Sequence, residues 1–107
     1  MSYPRHIRTL KELIESFYLL TTKRRLFKGY ITMMETHDIF YEFGRLAGNQ
    51  QGAGYAMEAG IFHMAQLANA GVLDRQKVRH CLTFVLKQFG DDWGWSGEIE
   101  DALAQMR

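Results

Sequence analysis

Apolar residues recur at three- and four-residue steps through most of this chain, and strict alternation persists nowhere. That period lines one face of an α-helix. Ile7, Leu10, Ile14, Phe17 and Tyr18 form the first stripe, widened by Leu13 and Leu20. Pro4 suits a first helical turn, because the amide it lacks would be unpaired there. The spacing predicts a first helix over about residues 4–20. Residues 21–25 read either as a basic turn or as a continuation of that helix, and Gly29 is a plausible break.

Thr32 and Glu35 have the spacing of a capping box, in which each side chain bonds the other residue's amide. They precede Ile39, Phe40, Phe43, Leu46 and Ala47, so a second helix is expected over about residues 32–47, with Thr36 as an alternative start. Residues 48–54 hold three glycines, three side-chain amides and one alanine, and form the clearest loop. A third helix is expected over about residues 55–70. Ala59, Phe62, Met64, Ala65, Leu67 and Ala68 are available for packing, and Gly60 and the alanines allow close helix approach. Gly71 is placed to end it. Asp74 caps a fourth helix bearing Val78, Leu82, Val85, Leu86 and Phe89, which Gly90 terminates. Ser96 is expected to cap a last helix with Ile99, Ala102, Leu103 and Met106 inward. The chain therefore reads as all-α: a compact bundle of about five helices, with residues 1–107 as a single domain.

Composition agrees with that reading. A hydrophobic share of 47% in 107 residues is that of a globular chain rather than a disordered one. A domain of this size buries roughly two thirds of its unfolded surface and needs no metal or disulfide to fold. The single cysteine, Cys81, allows no internal disulfide, which favours a reducing, cytoplasmic setting. The start is polar and basic, unlike a signal peptide. No apolar run approaches the ~20 residues of a membrane span, so no membrane association is expected.

The net charge of +1 conceals a gradient. Residues 1–29 carry seven Lys or Arg against two Glu, whereas residues 90–107 carry five acids against one Arg. Opposite ends can attract each other within one molecule, between two, or face different partners.

Candidate chemistry is thin. None of His6, His37, His63 and His80 has a His, Cys or carboxylate at the spacing that sets two metal ligands on one helix face. They are read as surface or core-edge histidines. Cys81 lies mid-helix, where a small buried hydrophobe is its usual role. Asp91 and Asp92 follow a helix-ending glycine and suit a turn. The glycine loop lacks the Lys-Ser/Thr and the preceding strand of a phosphate loop. We expect no enzyme activity, no metal and no cofactor.

Three features suit binding. Residues 67–78 make a helix, a glycine and a capped second helix, the outline of a helix-turn-helix, although one residue longer than its usual spacing. Arg75, Gln76, Lys77 and Arg79 open that second helix with side chains fit for phosphates and base edges. Lys23, Arg24, Arg25 and Lys28 form a basic stretch with interleaved aromatics, suited to nucleic acid or to an acidic protein. Finally, Met33, Met34, Phe40, Tyr41 and Phe43 crowd one helix, and Trp93 and Trp95 share a short connector, a surplus typical of protein interfaces. From these we expect a small adaptor or inhibitor that docks to a protein through Phe40, Tyr41, Trp93 or Trp95, itself a homodimer. The alternative is a nucleic-acid-binding regulator. Gly54, Ala59, Phe62 and Ala65, with Arg75 and Arg79-His80-Cys81, also resemble the small PerC/ANR-type regulators of enteric bacteria. The likeness spans fewer than 30 residues and implies no residue roles.

Overall fold

The expected stripes all become helices. The computed structural model describes residues 7–22, 31–48, 53–90 and 94–106. In chain order these hold α1 (Ile7–Thr22), α2 (Met33–Leu46), α3 (Ala53–Asn69), α4 (Arg75–Phe89) and α5 (Ser96–Gln105). No strand occurs among the described residues, and the protein is an all-α single domain.

The helix ends follow from local hydrogen bonding. At α2, the Glu35 amide donates to Thr32 Oγ1 at 3.1 Å, and the Thr32 amide donates to Glu35 Oε1 at 3.0 Å. The capping box is therefore complete, and Thr36 lies within the first turn rather than starting the helix. At α4, the Lys77 amide donates to Asp74 Oδ1 at 3.1 Å, satisfying one of the amides that a helix start leaves open. Between α3 and α4, Gly71 takes the left-handed conformation at φ 79°. The Val72 amide reaches back to the Leu67 carbonyl at 2.9 Å, and that of Gly71 to Ala68 at 3.1 Å, the paired bonds of a Schellman close.

One open reading is resolved, and two boundaries differ from expectation: α3 begins at Ala53, inside the expected loop 48–54, and α5 has a different cap. Thr21 and Thr22 continue α1, one of the two readings open for this stretch, and their hydroxyls donate to the Tyr18 carbonyl at 2.8 and 2.9 Å. Those bonds let two β-branched residues remain helical. Ser96 does not cap α5. Trp95 occupies that position without a side-chain bond, and the Ser96 hydroxyl donates to the Gly90 carbonyl. The serine ties the end of α4 to the start of α5 instead.

The core draws on all five helices. Leu10, Ile14 and Phe17 enter from α1, Phe40 and Phe43 from α2, and Met57, Ile61 and Met64 from α3. Val78, Leu82 and Val85 of α4 join the same core, with Ile99 and Ala102 of α5 and Met106 just past its end. α2 packs most extensively on α3; α5 lies against α3 and α4, and α1 lies against α4 and, more lightly, α2.

The α2–α3 crossing is made of backbone. A β-carbon on Gly60 would lie 1.9 Å from the Phe40 carbonyl oxygen, and one on Gly44 would lie 2.0 Å from that of Ala56. Both glycines are obligatory at this separation. The pairs 40 with 60 and 44 with 56 also set an antiparallel register.

Candidate functional site

Helical phase sorts the side chains of the α2–α3 pair into an inner and an outer set. On α2, Thr36, Phe40 and Phe43 turn into the core, while Met34 and Tyr41, seven residues apart and so on one face, turn outward. On α3, Met57, Ile61 and Met64 turn in, while Tyr55 and Gln66 stay exposed. The antiparallel register sets Tyr55 level with Arg45, one turn from Tyr41. Met34 is 76% exposed, Tyr55 61% and Tyr41 39%. Of the large apolar or aromatic residues exposed among the described residues, only Leu19 lies outside α2 and α3. Exposed methionine and tyrosine together give a surface that adapts its shape and keeps a polar tip in water.

The rim of this face is acidic. Asp38 is exposed between Met34 and Tyr41 in sequence. Glu42 accepts from Arg45 Nε at 2.8 Å and from its Nη2. The hydrogen bond from Arg45 holds the Glu42 carboxyl below its ordinary value, with the guanidinium charge adding to the effect, against a partial opposing influence of burial.

The residues expected to form an aromatic patch do not all reach it. Phe40 is fully buried and packs edge-to-face on Phe17, ring centres 5.4 Å apart. It is a core residue, because its position on α2 falls on the stripe facing α1 and α3, and it is withdrawn from any docking surface. Trp95 is half-buried against the core at the start of α5. Tyr41 alone of the described aromatic candidates stands on the outer face. Trp93 lies outside the described residues. Tyr55, by contrast, was not anticipated. It follows the glycine loop, where periodicity gives no phase.

The helix-turn-helix candidates have largely internal partners. Lys77 reaches across to α1, where its ammonium meets Glu15 at 2.5 Å and lies 5.4 Å from the centre of the Tyr18 ring. The bond to Glu15 raises the Lys77 pKa, with burial opposing it. Arg75 donates to Asn69 Oδ1 at 3.3 Å, and Arg79 to the Met106 carbonyl at 3.0 Å. Gln76 is exposed. A reading helix needs its first-turn side chains projecting into a groove, and here Lys77 instead braces α1 to α4. Lys23, Arg24, Arg25 and Lys28 lie outside the described residues.

Beyond those contacts, α4 carries an outward aromatic stripe. His80 stacks near Phe84, centres 6.4 Å apart at 24°, and the Tyr18 ring meets His80 edge-on at 5.1 Å. Of the other histidines, His37 is half-buried and His63 lies within the core, deeper than the sequence suggested. Cys81 is buried, and burial pushes its thiol up to about 12. Among the described residues no group of three or more His, Cys, Asp or Glu is placed to hold a metal ion. Nor is any helix there long and apolar enough to cross a membrane.

Compared with known proteins, the chain matches no family model, no curated protein and no solved structure. The fold and surfaces define it as a small all-α helical domain.

Proposed function

We propose that this protein is a non-enzymatic adaptor or inhibitor of the cytoplasm that docks to a protein partner through the outer face of the α2–α3 pair. The observation that carries the reading is the exposure of Met34, Tyr41 and Tyr55, with Met33 beside them, on two helices that hold all but one of the exposed large apolar side chains among the described residues. Burying such groups removes apolar surface from water, at roughly 25 cal/mol per Å². Aromatic anchors ringed by polar groups are where interface energy concentrates. The acidic rim around Asp38 selects a partner with basic residues beside its apolar anchor, and steers its approach. A second copy of this chain is an alternative occupant of the same face.

Site-specific photocrosslinking tests the reading. A photoreactive residue replaces Met34, Tyr41 or Tyr55 in turn, in the full chain expressed in its native cells, with Gln88 on α4 as the control position. Adducts of one defined mass from the three positions, absent at Gln88 and lost when Asp38 is changed to Lys, are expected. An adduct of twice the chain's own mass identifies the partner as a second copy. Met34→Asp should shift stability by no more than about 0.5 kcal/mol, as for an exposed site, while removing the adduct from Tyr41. If none of the three positions yields an adduct, the outer face is not a docking surface.

A further inference from the structure

The face of α4 turned away from the core combines cations with aromatic surface in a way the α2–α3 reading does not use. Within Arg75–Phe89 the helix carries Arg75, Lys77, Arg79 and Lys87 and no Asp or Glu. Glu15 pairs with Lys77, whereas Arg75 and Arg79 bond to neutral acceptors and, among the described residues, form no ion pair with a carboxylate. Among the described residues no carboxylate pairs with Lys87.

A shallow cavity of about 470 Å³, open to solvent, runs along this face. Gln76, Arg79, His80, Thr83, Phe84 and Lys87 line it, at the three- and four-residue steps of a single helical stripe. The flat rings of His80 and Phe84 form its apolar floor. Arg79 and Lys87, eight residues apart, bracket those rings at a separation of roughly 12 Å along the axis, at 1.5 Å per residue. The stripe is thus apolar in the middle and cationic toward both ends.

We infer that this face of α4 binds an acidic peptide segment of a protein partner, with one apolar side chain seated on His80 and Phe84 and carboxylates at Arg79 and Lys87. Charge complementarity selects the acid, and the apolar floor selects a peptide with a hydrophobic anchor over a nucleic-acid backbone. Duplex affinity comes chiefly from many phosphate contacts, and the cation best placed for the first turn of a reading helix, Lys77, is turned onto α1. Arginine and lysine differ here: Arg79, with its fork partly held by the Met106 carbonyl, fixes direction, and Lys87 supplies a mobile point charge.

The face belongs to a different helix from the α2–α3 surface, and its test uses neither Met34 nor Tyr41. Fluorescence anisotropy follows the 107-residue chain titrated against a dye-labelled synthetic peptide of Asp residues flanking a central Leu. The same peptide with Asn for Asp, and single- and double-stranded DNA oligonucleotides, serve as comparisons. Binding of the Asp peptide is expected, with loss in the Asn version and weakening of about tenfold or more in Lys87→Glu. Lys87 is exposed, so circular dichroism of the variant should match the parent; His80→Ala, which removes half of the floor, should weaken the Asp peptide as well. Equal binding of the Asp and Asn peptides, or no effect of either variant, overturns the inference. DNA binding that exceeds peptide binding and falls in Lys87→Glu overturns it in favour of nucleic acid.

Discussion

Cys81 shows how a side chain's chemistry follows from its surroundings. It is buried between helices, and desolvation disfavours the thiolate, with a bond from Thr21 opposing and the charge of Glu15 reinforcing the rise. A folded-state value raised from 9.0 to about 12 favours the protonated form. Its contribution to stability is therefore complete below pH 9.0 and is lost as pH rises toward about 12. Denaturant midpoints measured across that alkaline window should fall with pH in the parent and fall less steeply in Cys81→Ala. A thiol reagent should label the folded protein far more slowly than the unfolded one; rapid labelling of the native state would contradict the burial. The burial of Cys81 was legible from its mid-helix position beside Leu82. The fate of Phe40 was harder to read, because Phe40 and Tyr41 are adjacent aromatics on a helix with apolar residues all around. Only the phase of α2 against α1 and α3 sends the first inward and the second outward.

Glycines separate what an element shows in sequence from what it acquires on packing. In a helix interior Ala is favoured over Gly by about 1 kcal/mol. At Gly97, exposed in the first turn of α5 with nothing within 4 Å of an added β-carbon, Ala fits without strain and restricts the unfolded chain. Gly97→Ala is expected to stabilise by about 0.5–1 kcal/mol. At Gly60 the same methyl group would strike the Phe40 carbonyl at 1.9 Å, and backbone cannot turn aside as a side chain can. Overpacking of this kind costs ~1–3 kcal/mol or more, so Gly60→Ala should be net destabilising. Urea unfolding of the two variants checks both signs. The caps at Thr32, Asp74 and Gly71 were legible because each depends on a few consecutive residues. Gly44 was not, since its necessity comes from Ala56 on another helix. The role of Ser96 was misread for the same reason: its acceptor, Gly90, belongs to the preceding helix.

At the scale of the molecule, α5 is a structural member rather than an appendage. Ile99, Ala102 and Met106 are fully buried. Asn69 Nδ2 donates to the Gln105 carbonyl at 2.7 Å, and Arg79 holds the carbonyl of Met106. A chain ending before Ser96 would expose the faces of α3 and α4 that α5 covers. It should lose the single cooperative thermal transition expected of the whole domain; a truncated chain that still melted sharply would mark α5 as dispensable. The five-helix count and the all-α class were legible from periodicity, but the order of packing was not, because several bundle arrangements satisfy the same stripes. The α2–α3 crossing has a mechanical consequence as well. Where two helices meet through side chains, a rotamer change can absorb a small displacement of one of them. Here carbonyls and α-carbons touch directly, so no compliant layer lies between. A displacement of α2 at Phe40 or Gly44 should therefore carry α3 with it rather than be taken up by a change of rotamer.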